Sequence, residues 1–260
     1  MRRACSHVTL RRPMPTLTRG DTTIHYELHG NGYPVLLFAP GGMRSSIKWW
    51  EKAPFHPVRE LAGQHSLIAM DQRNAGHSRA PVTASDGWPT YASDHLAVLD
   101  HLGIERCHLL GGCIGGAFAL RLIATAPGRV SAAVLQQPIG LSSDNRGAFH
   151  ALFDSWAEEL SASRRDVSAE ALSGLKANLY GGDFVFSVSR SDVEQCPVPL
   201  LVLRGDDVYH PSAISEEIAR IAPQAALIPS WKQGDNLVRA VAHVRAFLAA
   251  NTPPSAARER

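Results

Sequence analysis

A cysteine flanked by glycines is the strongest candidate for chemistry in this sequence. Cys113 follows a short apolar run ending in Gly111-Gly112, and it precedes Gly115-Gly116, which open a helical pattern. This order of strand, sharp turn and helix predicts a nucleophile elbow, which needs glycine two residues on either side because the turn is strained and tightly packed. A thiol at a helix N-terminus also meets the positive end of the helix dipole, which favours the thiolate. The alternative is a buried cysteine that only packs between strand and helix. The glycine spacing favours the nucleophile.

The elements that must position this cysteine alternate between apolar runs and helical patterns. Strands are predicted at 22–28, 35–39, 66–70, 107–110, 132–137, 200–204 and 226–229, and helices at 91–102, 114–126, 213–222 and 237–250. Strands that alternate with helices form a mostly parallel sheet covered on both faces. The sequence therefore predicts an α/β fold.

The alternation is interrupted once, and both ends of the chain lie outside it. Residues 142–196 hold amphipathic helical pieces, which are predicted to form a small helical cap above the carboxyl ends of the strands, where ligands bind in such sheets. The core is predicted to comprise 20–141 and 197–250. Residues 1–19 are expected to be a disordered or mis-assigned lead, with Met1 or Met14 as the start, and 251–260 a flexible tail.

Composition excludes several function classes. The 260 residues are 45% hydrophobic with a net charge of +2 and no block of basic residues, so neither a nucleic-acid nor a membrane partner is expected. The four cysteines lack CxxC spacing, so neither a zinc site nor a disulfide framework is indicated. We expect a cytoplasmic monomer or homodimer acting on a small molecule, without a metal or an organic cofactor.

Four motifs occur in the order found in one large family. They are the glycine turn at 40–43, the DxR…GxS stretch at 71–78, the elbow at Cys113 and the GDD…P turn at 205–211. With these the chain resembles the α/β-hydrolase superfamily over essentially all of residues 20–250. The resemblance implies a role in the fold, rather than in catalysis, for the 71–78 stretch.

The resemblance also implies an oxyanion hole. Its donors would be the backbone N–H of Ile114, directly after the nucleophile, and that of Gly42 or Met43 in the first glycine turn. Such donors stabilise a developing oxyanion by about 3 kcal/mol each in a dry site. A tight turn without that role is the alternative for the glycine pair.

The acid of the triad is expected after the strand at 200–204. Asp207 fits that position and Asp206 competes with it, whereas a helix or turn cap is the alternative for either. His210 lies in the same loop, at the carboxyl edge of the sheet where catalytic groups collect, and it is the candidate base for Cys113, directly or through water. A rigid turn is the equally weighted alternative for His210.

The sequence departs from the family where the usual histidine should follow the last strand. No histidine lies between His210 and His243, and His243 falls inside the last predicted helix. Trp231 and Lys232 stand near the expected place, where the lysine would lower the thiol pKa and the tryptophan would plug the pocket. A further pair, Trp49 and Trp50, is expected to line the pocket or to pack beneath the cap.

Two functions follow from these residues. The first is a hydrolase or acyl transferase whose cysteine attacks a small ester, thioester or lactone carbonyl. The capped insertion resembles the esterase, C–C hydrolase and lyase branches of the family. The second is a non-hydrolytic lyase, isomerase or ligand-binding protein that keeps the elbow but lacks the standard histidine. A partner-binding surface at the tryptophan pair is the weakest option.

Overall fold

A computed structural model describes residues 15–254, which form a twisted sheet with helices on both faces. The strands occur in the spatial order β1-β2-β4-β3-β5-β6-β7-β8. Pairs β1–β2 and β2–β4 are antiparallel and the others are parallel. The strands are β1 (Thr16–Arg19), β2 (Thr22–His29), β3 (Tyr33–Phe38), β4 (His65–Met70), β5 (Cys107–Gly112), β6 (Val130–Gln136), β7 (Leu200–Leu203) and β8 (Ala225–Ile228).

The helices follow the strands in the order expected for crossover connections. They are α1 (Pro57–Leu61), α2 (Trp88–His101), α3 (Ile114–Thr125), α4 (Arg146–Ser163), α5 (Ala169–Tyr180), α6 (Arg190–Glu194), α7 (Ser212–Ile221) and α8 (Gly234–Ala250). Short 3₁₀ helices occupy Gly42–Arg44, Ile47–Lys52 and Pro127–Arg129. The α/β class predicted from the sequence is confirmed.

The sheet has a buried core on each face because its central strands are apolar on both sides. On one face Leu36 and Leu109 pack in a cluster that includes α2, α3, α7 and part of the insertion. On the other face Val35 and Leu110 pack in a second cluster with α1 and α8. Adjacent residues of β3 and β5 thus point to opposite cores, and this burial anchors the loops at the carboxyl ends of the strands.

The prediction for the N-terminal lead is wrong where the structure describes it. Residues 16–19 form β1, which pairs antiparallel with β2, because their alternating sequence extends the sheet edge by one short strand. The remainder of that predicted lead, residues 1–14, lies outside the described residues. At the other end Thr252 is tied to His108 Nε2 by a hydrogen bond of 3.0 Å, so the first residues of the predicted tail pack on the core.

Three helices are inserted between β6 and β7, within the segment predicted to be a cap. Of these, α4 reaches the glycine turn: Glu159 accepts hydrogen bonds of 2.9 and 2.7 Å from Arg44, and Ser155 accepts another of 2.9 Å. The insertion therefore contacts the loop that follows β3. Its role as a cap remains a prediction.

Among residues 15–254 the structure contains no helix long and apolar enough to cross a membrane.

Candidate active site

The turn between β5 and α3 holds Cys113 in a strained conformation. Its φ of 58° and ψ of −120° lie outside the regions that L-residues ordinarily adopt. A Cβ on Gly111 would lie 2.1 Å from the carbonyl oxygen of Gly115, and a Cβ on Gly115 would lie 2.1 Å from that of Phe38. Both flanking glycines are thus required by close backbone contacts, and the turn has the geometry of a nucleophile elbow.

The loop after β7 brings an acid and a histidine together. Asp207 Oδ2 and His210 Nδ1 are 2.8 Å apart, while Asp207 Oδ1 accepts the backbone N–H groups of Tyr209 and His210 at 3.0 and 3.1 Å. Burial raises the pKa of Asp207, but the hydrogen bond to His210 and the charge of this imidazole outweigh it, and the pKa is lowered overall. The ionised carboxylate fixes the ring so that Nε2 is directed away from it.

Cys113 and His210 each shift the pKa of the other. Burial raises the thiol pKa, yet the positive charge of His210 and a hydrogen bond from this ring lower it below its ordinary value. Burial lowers the pKa of His210, whereas the thiolate and Asp207 raise it to about 9. His210 Nε2 is buried and has no fully aligned hydrogen-bond partner among the described residues. The shifts in pKa favour a thiolate–imidazolium pair. The hydrogen bond between the two side chains is poorly aligned, as is common before substrate binds.

Two backbone N–H groups point at the same sulfur. Those of Gly41 and Ile114 both act to lower the pKa of Cys113. The sequence predicted the backbone N–H groups of Ile114 and of Gly42 or Met43. In the glycine turn the N–H that reaches the sulfur is instead that of Gly41, one residue earlier. Gly42 lines the pocket beside Cys113, whereas the Met43 side chain is buried in the core. The left-handed φ of Gly41, 116°, turns this peptide towards the site.

A cavity of about 200 Å³ opens beside Cys113 and His210. Its remaining walls are mainly apolar and aromatic, and several come from the insertion and the loop after β7. They include Trp49, Ile139, Phe149, Leu152, Tyr180 and Tyr209. The site can therefore hold a small ligand whose bulk is apolar and whose polar group faces the thiol.

Three of the residues predicted for the pocket lie elsewhere. Trp50 and Trp231 are 1% and 2% exposed and pack in the core cluster that includes α8. The indole N–H of Trp231 donates to the Arg204 carbonyl at 2.9 Å, so the ring lies beneath the sheet and does not plug the site. Lys232 is paired with Asp206, and neither residue lines the pocket beside Cys113. The carboxylate that contacts His210 is that of Asp207.

Trp49 is the tryptophan of the pair that does line the pocket. A Cβ on Gly41 would lie 2.9 Å from its ring, so the indole packs directly on the glycine turn. The sequence contains no indication of which neighbour would face the site. It also missed Phe149, Tyr180 and Tyr209, whose only signal was the clustering of aromatic residues in and near the insertion.

The stretch at 71–78 supports the fold, as the resemblance implied. Asp71 accepts N–H groups from Ile47 at 2.7 Å and His77 at 2.8 Å, and its own carbonyl accepts the Ser78 hydroxyl at 2.8 Å. Arg73 is buried and paired with Asp94 at 2.7 Å. Neither side chain lines the pocket beside Cys113.

Comparison with known proteins identifies the family of the chain. The family model described as "alpha/beta hydrolase fold" matches residues 34–226, and the chain belongs to this family. RutD of Azorhizobium caulinodans, provisionally named a carbamate hydrolase, is 34% identical over 117 residues, which make up 45% of this chain and 42% of that protein. The chain thus spans about two fifths of the length of the curated relatives it matches.

Solved structures show the same fold over most of the chain. A meta-cleavage product hydrolase from Pseudomonas fluorescens has a TM-score of 0.69 at 18% identity and covers 92% of this chain and 98% of its own. An enol-lactonase from Burkholderia xenovorans has a TM-score of 0.64 at 21% identity and covers 90% of this chain and 98% of its own. At these identities the likeness concerns the fold.

Proposed function

We propose that this protein is a hydrolase that uses Cys113 as a covalent nucleophile on small ester, thioester or lactone substrates. The observation that carries the proposal is the convergence of Cys113, His210 and Asp207 at one edge of the sheet. The pKa of the thiol is lowered and that of the imidazole is raised to about 9, with the carboxylate on the far side of the ring. The order nucleophile, base, acid is the arrangement of a catalytic triad.

Acylation begins with attack of the Cys113 thiolate on the substrate carbonyl carbon. The carbon–sulfur bond forms as the carbonyl π electrons move to oxygen, and the N–H groups of Gly41 and Ile114 stabilise this oxyanion. When the intermediate collapses, the bond to the leaving oxygen or sulfur breaks and His210 donates its Nε2 proton to that atom. The product is an acyl-thioester on Cys113 and a neutral imidazole.

Deacylation uses the same imidazole in the opposite sense. Neutral His210 accepts a proton from water, the resulting hydroxide equivalent attacks the thioester, and collapse releases the acid and restores the thiolate. The acylated cysteine has no negative charge, so the contribution of the thiolate to the pKa of His210 is lost during this step. The imidazole is then easier to keep neutral, as a general base requires.

The substrate class follows from the cavity. About 200 Å³ bounded largely by apolar and aromatic side chains favours a compact, uncharged acyl group or a small lactone. Arg44 also lines this space, but its guanidinium is bound by Glu159, so it does not offer a free charge to a carboxylate. The lactonase likeness is compatible with this class.

The non-hydrolytic alternative depended on the lack of a histidine near Cys113. The position of His210 against the thiol removes that support, because a base for water activation is available. We therefore do not propose a lyase, an isomerase or a binding protein.

The test is turnover of short-chain nitrophenyl esters and thioesters by the full chain, with the acyl-enzyme followed by intact mass. Cys113→Ala should lower kcat/KM by more than about 1000-fold and abolish the acyl adduct. His210→Ala should lower it by about 100- to 10,000-fold and let the adduct accumulate, since deacylation loses its base. Cys196→Ala, a buried cysteine outside the site, serves as the matched control and should retain activity. Equal activity of the Cys113→Ala and control variants would exclude the proposal.

A further inference from the structure

A second cluster of potential ligands lies outside the Cys113 pocket. His25 on β2, and Asp71 and His77 in the loop after β4, each place a ligand atom within 4.8 Å of the other two. His25 and Asp71 are buried, whereas the His77 side chain is 62% exposed. His25 is distant in sequence from Asp71 and His77, and the sheet pairing of β2 with β4 brings it next to them.

The buried histidine is oriented as metal-binding histidines usually are. His25 Nδ1 lies 3.2 Å from the carbonyl oxygen of Pro15. A carbonyl only accepts hydrogen bonds, so Nδ1 carries a hydrogen, and in the neutral ring Nε2 keeps its lone pair. Metal-bound imidazoles typically donate their second N–H to a carbonyl or carboxylate in this way.

The lone pair of His25 faces negative charge. Nε2 lies 3.6 Å from Glu27 Oε1, and two such acceptors repel each other unless a cation lies between them. His77 Nδ1 lies 3.4 Å from Asp71 Oδ2, which is also an open geometry for a direct hydrogen bond. One metal ion could be shared by the ligand atoms of His25, Asp71 and His77, which all lie within 4.8 Å of one another.

A cavity of about 370 Å³ adjoins the cluster and provides an entry path. It is lined by the carboxylates Glu27, Glu51 and Asp71 and by one cation, Lys48. Arg59 pairs with Glu51, and His29 Nε2 lies 3.0 Å from Glu27 Oε2, so Asp71 and Glu27 are the carboxylates left to attract a divalent cation. The carboxylate of Asp71 is also held in place, because the N–H groups of Ile47 and His77 donate to its two oxygens.

From this geometry we propose that His25, His77 and Asp71 form a binding site for a divalent transition metal of the zinc class, with Glu27 as a fourth ligand. Two imidazoles with one or two carboxylates are a donor set that suits such metals. The ligand atoms must close from their present spacing to about 2.0–2.2 Å from the metal, and the exposed His77 is free to make that movement. The site would clamp β2 to the loop after β4. The inference departs from the expectation, drawn from cysteine spacing, that the protein needs no metal.

The test is titration of the full chain with Co²⁺ and competition with Zn²⁺, in a Cys113→Ser background so that the reactive thiol cannot bind either metal. We expect one equivalent of Co²⁺ with the visible absorption of a tetrahedral site. His77→Ala should weaken binding by more than about 100-fold, and Glu27→Gln by a smaller factor. Zn²⁺ should raise the Tm of the Cys113→Ser protein and not that of the His77→Ala variant.

Two further variants make the outcome decisive. His77→Cys keeps a ligand atom and should retain binding while adding a thiolate-to-cobalt charge-transfer band. His243→Ala removes an exposed histidine of α8, and its affinity should stay within about twofold of the parent. Absence of stoichiometric Co²⁺, or equal affinity in the His77→Ala variant, would overturn the proposal.

Discussion

At the scale of single residues, the chemistry of the site depends on two opposing effects at Cys113. Burial alone would keep the sulfur protonated, as it does for Cys107, whose pKa it raises to about 12. The imidazole of His210 and two backbone N–H groups reverse that effect at Cys113. The set of groups facing the sulfur therefore distinguishes Cys113, the proposed nucleophile, from Cys107.

The pH dependence of alkylation measures this balance directly. Iodoacetamide should modify Cys113 with an apparent pKa below the ordinary ~8.5, because His210 favours the thiolate. In His210→Ala the apparent pKa should rise above that value, since burial then dominates. Peptide mapping by mass spectrometry follows Cys113 separately, with buried Cys107 as the internal control that stays unlabelled until unfolding. The same apparent pKa in parent and variant would show that the histidine does not act on the thiol.

At the scale of elements, the site depends on how closely α3 approaches the sheet. The elbow allows the first turn of α3 to pack against the end of β3, where Gly115 meets the carbonyl of Phe38. A second contact, from Arg44 to Glu159, joins the glycine turn to α4. The two backbone N–H groups proposed as oxyanion donors, those of Gly41 and Ile114, are positioned by these elements.

Gly115→Ala tests the close approach of α3. The added Cβ would lie 2.1 Å from a backbone oxygen, so α3 must shift, and we expect a loss of about 2–4 kcal/mol in the free energy of unfolding. Gly147→Ala in α4 is the matched control, because nothing lies within 4 Å of its added Cβ. That change should be neutral or stabilising by up to about 1 kcal/mol. Urea denaturation compares the two, and equal stabilities would show that the approach is not tight.

At the scale of the whole molecule, two histidines are buried as neutral rings. His95 lies on α2 and His108 lies on β5. Burial, with Arg73 nearby, lowers the pKa of His95 to about 3. Burial, with His65 and Arg106 nearby, lowers that of His108 to about 3 as well. At mildly acidic pH both rings bind a proton in the unfolded chain but not in the folded protein. Proton binding then favours the unfolded state.

The free energy of unfolding should therefore begin to fall at a pH above the range in which carboxylates bind protons. A histidine with a lowered native pKa contributes nothing above the unfolded value of about 6.5, and stability is lost as the pH falls from there towards 3. We expect about 2 kcal/mol of loss per histidine between about pH 6.5 and 5. Urea denaturation at both pH values measures it, and His108→Gln should reduce the loss by about 2 kcal/mol. His243→Gln, at an exposed position, should leave the loss unchanged.

The sequence by itself determined the fold class and the position of the elbow. Apolar runs and helical periodicity are local signals, so the strands from β2 to β8 were each predicted within a few residues of their observed ends. The glycine spacing around Cys113 is a local pattern too, although only the Gly111 contact lies within the turn, and the Gly115 contact is with Phe38 of β3. The short strand β1 was missed because its stability comes from pairing with β2.

Only the tertiary structure decided which groups face the thiol. Periodicity does not say which of two neighbouring tryptophans turns towards a cavity, and Trp49 does while Trp50 enters the core. Nor does loop sequence say whether Asp206 or Asp207 meets the histidine, since that depends on the pairing of Asp206 with Lys232 from another loop. The grouping of His25 with Asp71 and His77 likewise arises from the pairing of β2 with β4. These contacts join residues distant in sequence, so chain geometry had to be known before they could be seen.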